Sequence, residues 1–312
     1  MKNDERLLVK IIKEVCTEEG ITYTSFSYDW IFRLTKNDIS RHIIGSTFEL
    51  NSSAAMAICK DKCAASDIML NQGIPCVAHH FFISPGNLKY VGEDGNWEKM
   101  LKYLAKYKRI VCKPNEGTSG NDVLLAETKQ ELEAAVSKIF AKNRTLAICP
   151  YYEIDHEYRL IILNHQVELV FLKHPPFVMG NGQDNLLTLM AKSGDTFPIK
   201  EFDQKLDYYY VPLKNEKFRL NWKHNLGLGA SASVVTDQTL INELSTLAIK
   251  ATKALNAKFV SVDIVETTEG LKIIEVNGGV SMDHFASMGE DNYVTAKAIY
   301  QDAINLMFKA SD

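Results

Sequence analysis

"FVSVDIVETTEGLKIIEVN", residues 259–277, is the stretch that decides the fold. Two β-compatible runs flank Thr267-Thr268-Glu269-Gly270, which reads as a hairpin turn with glycine at the left-handed position. Strand side chains alternate between faces. Ser261, Asp263 and Val265 therefore share one face of the first strand, and Leu271, Ile273, Glu275 and Asn277 share one face of the second. A three-residue loop ending at Gly270 sets Asp263 directly opposite Glu275. Like charges so placed destabilise a sheet. A bound divalent cation removes the conflict, and hard oxygen ligands suit magnesium. The plainer alternative is that one carboxylate faces solvent.

Magnesium held by few protein groups shares its shell with phosphates, so the next question is where a phosphate would sit. "VCKPNEGTSGNDV", residues 111–123, is a strand, a lysine and a glycine-containing loop. It is not a P-loop, because Lys113 precedes the glycines, and it lacks the G-x-G-x-x-G of a dinucleotide site. Backbone N–H groups at 118–121 can still cover phosphates, with Lys113 as a point charge. A hairpin loop with a surface lysine is the competing reading, since Gly, Ser, Asn and Thr are ordinary turn residues. A third segment, "CPYYEIDHEYRLIIL", runs from a strand through a connector into a hairpin. Its backbone can meet a base edge, and Glu157 can accept from ribose hydroxyls.

The rest of the chain agrees with an α/β (α+β) protein. The 312 residues are 46% hydrophobic and 24% charged, with a net charge of −4. This excludes a general polyanion-binding surface and gives no reason to expect nucleic acid. No apolar run is long enough to span a membrane, and the charged, amphipathic start is unlike a signal peptide. The six cysteines lie far apart, mostly inside apolar segments, and read as reduced, mostly buried thiols of a cytoplasmic protein. Residues 4–19 have helical spacing, "ITYTSF" and "WIFRL" read as strands, and "SSAAMAICKDKCAASDIMLNQG" as one or two helices. "NWEKMLKYLAKYK" is a helix capped by Asn96, and Thr128 with Glu131 is a capping box. "EYRLIIL" and "QVELVFLKH" form a hairpin around Asn164-His165. Residues 175–232 read as loop-rich, and Asp237 caps a helix ahead of the 259–277 hairpin.

These three elements, in this order, resemble the ATP-grasp superfamily of carboxylate–amine ligases. Within it the chain is most similar to the glutathione synthetase, cyanophycin synthetase and ribosomal-protein glutamate ligase group. "PPFVMGNGQDNLLTL" and "NWKHNLGLGASASVVTD" add to the likeness. The resemblance implies an ATP-grasp fold, two α/β subdomains clasping ATP behind a short N-terminal domain, with boundaries at 1–75, 76–150 and 151–312. It implies that Lys62 and Lys113 contact ATP phosphates, and that Gly117, Thr118, Ser119 and Gly120 form the covering loop. Tyr151, Tyr152 and Glu153 face adenine and Glu157 the ribose. Asp263, Glu275 and Asn277 hold two Mg2+ ions, with Mn2+ as a substitute, and Lys223, Asn225 and Arg159 serve the reaction, with Lys173 a further basic position. The implied reaction joins a small carboxylate to an amine, an amino acid or peptide, through an acylphosphate with release of ADP and phosphate. A phosphotransferase, a carrier-protein loading enzyme and a non-catalytic ATP-binding module are the rivals. A homodimer and a carrier protein are the protein partners left open. Lys223, Lys173, Arg159 and Arg33 point to an anionic substrate. The sequence departs from the group at Pro150, where an acidic residue is common, and at Lys223, where arginine is common and a bidentate fork is lost.

Overall fold

A computed structural model describes residues 5–92, 97–117, 120–193, 206–221 and 231–309. Thr118, Ser119, Lys223 and Asn225, and the capping position at Asn96, lie outside them.

The central sheet has five antiparallel strands in the order β13-β10-β9-β14-β15. These are β9 (His156–Leu163), β10 (Gln166–His174), β13 (Ser231–Val234), β14 (Phe259–Thr267) and β15 (Gly270–Asn277). β9, β10 and β14 are apolar on both faces over most of their length, so the sheet is covered on both sides. One face presents Leu160, Ile162, Val170, Val260, Val262 and Ile264 to helices α3 (Lys62–Asn71) and α7 (Gln238–Ala254). The other presents Ile161, Leu163, Leu169, Phe171 and Phe259 to α1 (Leu7–Glu18) and α9 (Glu290–Phe308).

A four-stranded antiparallel meander closes this second layer: β1 (Thr22–Phe26), β2 (Ile31–Lys36), β3 (Ile39–Ile44) and β4 (Thr47–Phe48). Its inward residues Phe32, Leu34, Ile43 and Phe48 belong to the same core as Phe259 and Tyr300. The first fifty residues therefore share the core of the central sheet. "ISRHII" was not expected as a strand: only Ile43 is buried there, so alternation is hard to read against its polar neighbours.

The helical stretch after residue 50 divides into α2 (Ser53–Lys60) and α3, with Asp61 between them capping Ala64 N–H at 2.8 Å. A second antiparallel sheet follows, ordered β5-β8-β6-β7, from β5 (His80–Ile83), β6 (Ile110–Pro114), β7 (Leu124–Ala126) and β8 (Thr145–Pro150). One face packs Phe82, Ile110, Cys112 and Ile148 against α4 (Trp97–Tyr107) and α5 (Lys129–Phe140). The capping box at Thr128 and Glu131 starts α5 as expected. The other face carries Val111 and Cys149. Residues 175–232 are not all loop: α6 (Leu186–Ser193) packs on a ribbon of β11 (Phe177–Met179) and β12 (Lys217–Arg219) through Leu186, Leu189 and Val178. All six cysteines are free and buried. Among the described residues, no helix is long and apolar enough to cross a membrane.

The decisive hairpin keeps the expected pairing by a different route. Asp263 lies opposite Glu275, and Ser261 opposite Asn277. The turn, however, has two residues between Thr267 and Gly270, and a β-bulge between the Asp263–Glu275 and Ile264–Ile273 pairs supplies the missing residue. An extra residue flips the alternation. Leu271 and Ile273 thus do not share the face of Glu275 and Asn277. Ile273 is instead in the core with Ile264, and the bulged Ile274 packs against Val77, Val111 and Cys149.

Candidate active site

Register across the central sheet assembles the site. Phe171 on β10 pairs with Arg159 on β9, Arg159 with Asp263 on β14, and Asp263 with Glu275 on β15. The next row holds Lys173, Glu157 and Val265, and the one before it Leu169, Ile161, Ser261 and Asn277. Along β9 and β10 this face changes from apolar to ionic within two residues, from Ile161 to Arg159 and from Phe171 to Lys173.

Asp263 is 3% exposed. Arg159 grips it with a fork, Nε to Oδ1 and Nη2 to Oδ2, each at 2.7 Å, and Lys173 Nζ stands 3.0 Å from Oδ1. Burial pushes the Asp263 carboxyl up, but the Arg159 guanidinium and then the Lys173 ammonium outweigh it and hold it well below the usual carboxylate range. Burial disfavours the Arg159 charge, yet Asp263 raises its pKa above the ordinary value. Lys173 also donates to Glu157 Oε1, so the residue expected at the ribose is already engaged inside this cluster.

Glu275 has a different partner. Lys62 opens α3, and its Nζ lies 3.1 Å from Glu275 Oε1 and donates to the Gly117 carbonyl at 2.9 Å. The same helix end fixes the start of the glycine loop. Lys62 N–H donates to the Asn115 carbonyl at 3.2 Å and Cys63 N–H to Asn115 Oδ1 at 3.1 Å. Gly120, with φ of +67°, takes the left-handed conformation that glycine adopts without penalty.

Lys113 on β6 is 6% exposed, and among the described residues its ammonium has no carboxylate partner. It shares a strand face with Val111, as a period of two requires. Beside it, Val77, Val111, Val123, Cys149, Tyr152 and Ile274 form an apolar cluster, the slot, to which both sheets contribute. His79, 4% exposed, lines a narrow crevice with Lys62 and Glu275, and neither ring nitrogen has a full hydrogen bond. Burial, then repulsion from Lys113 and Lys62, holds the ring neutral by lowering its pKa well below the ordinary value. No sequence signal marks His79, since it lies in an extended linker. Of the cluster residues, only Val111 was readable, on the same face of β6 as Lys113.

The connector departs from expectation at one atom. Tyr151 N–H donates to the Arg109 carbonyl at 3.0 Å, continuing the β6–β8 ladder, so this N–H cannot serve an adenine edge. The Arg109 guanidinium lies 3.9 Å from the Tyr151 ring centroid and 2.6 Å from Glu153 Oε1. Arg33 does not join the cluster: it sits on β2 and hydrogen-bonds Ser40. A wider concavity of ≈ 660 Å³ lies between the β2–β3 turn and the end of α9, and none of the expected site residues line it.

Asp263, Glu275 and Asn277 offer hard oxygen donors on adjacent register positions, which fits a divalent cation. Among the described residues, no three of His, Cys, Asp and Glu converge closely enough to cage an ion alone. Such an ion would need further oxygen ligands, as phosphates supply.

Residues 213–298 match the RimK-like ATP-grasp domain. The chain is 25% identical over 226 residues to the glutathione biosynthesis bifunctional protein GshAB of Listeria welshimeri, covering 63% of this chain and 29% of that protein. It thus spans less than a third of the length of that relative. It is 28% identical over 118 residues to the tetrahydromethanopterin:alpha-L-glutamate ligase of Methanocaldococcus jannaschii, covering 30% of this chain and 40% of the ligase. In structure it is similar to a bifunctional glutathione synthetase from Pasteurella multocida (TM-score 0.58, 17% identity, 96% of this chain and 44% of that one). It is also similar to a D-alanine–D-alanine ligase from Bacillus anthracis (TM-score 0.54, 17% identity, 83% and 69%). Domain match and structural likeness agree: residues 213–298 are similar to a RimK-like ATP-grasp domain, and the fold is that of the glutathione synthetase and D-alanine–D-alanine ligase above.

Proposed function

We propose that this protein is an ATP-dependent ligase that joins a carboxylate to an amine and releases ADP and phosphate. The observation that carries this reading is Lys113: a buried ammonium without a carboxylate partner among the described residues, on the strand face that also carries Val111 of an apolar cluster with Cys149, Tyr152 and Ile274. An unpaired buried charge is costly, and an anionic ligand removes that cost. Lys113 and Lys62 would hold the nucleotide's phosphates, with the backbone of the 117–120 loop over them. The slot would take the base, with Tyr152 and Ile274 as walls and Glu153 and the Tyr151 carbonyl at its edge.

Asp263, Glu275 and Asn277 would hold magnesium, two ions in the fullest form of the proposal, with manganese able to replace them. When bound, the metal neutralises charge on the attacking and leaving oxygens of the transferred phosphoryl group. The chain's own work is positioning and charge compensation. Arg159 is held rigid by its fork on Asp263 and presents its remaining N–H donors to an anionic substrate. Lys173 keeps Glu157 and Asp263 from repelling each other. Lys223 and Asn225 are proposed to meet the acylphosphate. The glutamate in the name of the Methanocaldococcus jannaschii relative supports an acidic amino acid or a peptide as one substrate.

Calorimetric titration with Mg-ATP tests the reading. Lys113→Met keeps most of the stem and removes the charge, so affinity is expected to fall by about 1.5–3 kcal/mol, the scale of a charged hydrogen bond. Unchanged affinity would remove Lys113 from the site.

A further inference from the structure

We propose that the Lys62–Glu275 ion pair is an internal lock that makes nucleotide and divalent cation bind as a pair, each opening the other's site. This rests on the ligase reading above. Lys62 is the phosphate-facing lysine whose charge is already spent, on Glu275 Oε1 at 3.1 Å and on the Gly117 carbonyl at 2.9 Å. Lys113, by contrast, has no carboxylate partner among the described residues. The two lysines are therefore unequal: one is ready for an anion and the other must first be released.

Release has a consequence on the other side of the cleft. Glu275 faces Asp263 across the β14–β15 ladder. Asp263 is paired with Arg159 and with Lys173, which it shares with Glu157, whereas the ion pair found for Glu275 is with Lys62. If an anion draws Lys62 away, Glu275 is left beside another carboxylate with its side chain only 25% exposed. A divalent cation at Glu275 cancels that penalty. Conversely, a cation that takes Glu275 frees Lys62 for phosphate. Lys62 can make this exchange with its side chain alone, because its backbone N–H is fixed to Asn115. Such coupling is reciprocal by thermodynamic necessity.

The test is nucleotide and metal binding, each measured alone. Metal-free ATP is titrated in EDTA into wild type, Glu275→Gln, Lys62→Met and the double variant, with folding checked by thermal melting. Glu275→Gln frees Lys62, so it is expected to bind metal-free ATP about tenfold tighter than wild type, within the usual range of coupling. In the Lys62→Met background the same substitution should change affinity by less than about twofold, because the gain acts through Lys62 and effects of residues in contact are not additive. Manganese alone, followed by electron paramagnetic resonance, should bind Lys62→Met more tightly than wild type. That arm decides the question if Glu275→Gln fails to fold. A gain from Glu275→Gln that persists undiminished without Lys62 is a general field effect and overturns the lock, as does no gain, or manganese binding unchanged in Lys62→Met. Mg-ATP binding to wild type with no gain from Glu275→Gln overturns the lock alone. No Mg-ATP binding to wild type overturns the ligase reading with it.

Discussion

Asp263 shows how one residue both holds and serves the site. Its two oxygens are shared between Arg159 and Lys173 in a buried setting, and removing one member of such a network leaves uncompensated charge. Asp263→Asn is therefore expected to destabilise the protein by about 3 kcal/mol, read by denaturant unfolding at neutral pH. The folded-state pKa lies below the unfolded one, so the carboxylate's contribution is complete above the unfolded value of about 4. It disappears only as pH falls through the lower folded value. The wild type and Asp263→Asn should thus keep a constant stability gap from neutrality down to about pH 4 and converge in stronger acid. A gap that closes between pH 7 and 5 would contradict the assignment. The pairing of Asp263 with Glu275 was legible because alternation and an apolar surround make carboxylates stand out. The partners of Asp263 were not: Arg159 and Lys173 come from other strands, and only the sheet register brings them within 3 Å.

At the scale of the element, the 259–277 hairpin was legible in outcome but not in detail. Turn length and bulge compensate each other, and both arrangements place Asp263 opposite Glu275. The bulge matters because it turns Ile274 into the apolar slot, which a regular ladder would not do. Gly270 holds the turn with φ of +95°, and no heavy atom lies within 4 Å of where a Cβ would stand. Gly270→Ala should therefore cost only backbone strain, about 1–2 kcal/mol. Thermal melting measures that loss, and affinity for Mg-ATP should remain that of the wild type. The glycine loop was less legible. Its lysine and turn residues were visible, but the tie between Asn115 and the start of α3 joins positions far apart in sequence.

At the scale of the whole molecule, the N-terminal meander is built into the central core. Phe48 stacks on Tyr300 with centroids 5.6 Å apart and meets Phe259 edge-on at 5.1 Å. Phe48→Ala should cost about 3–5 kcal/mol, the range for a large buried aromatic, in a single unfolding transition. A separate early transition for the N-terminal segment would contradict a shared core. This sharing was hidden in the sequence because β4 has two residues and β3 one buried side chain, too little for periodicity to register. The same architecture places Lys113 on one sheet and Glu275 on the other, with Val111 and Ile274 from the two sheets meeting in one apolar cluster.

The central claim is that this cleft couples ATP to amide formation. The most direct measurement is phosphate release across a matrix of carboxylates and amines, with products identified by mass spectrometry. The account predicts ADP and phosphate only when both a carboxylate and an amine are present, with magnesium, and an amide whose mass is their sum less one water. It further predicts that an acidic amino acid or a peptide is among the productive partners. A phosphorylated product with no amine incorporated would contradict the ligase account and make the protein a phosphotransferase on the same fold.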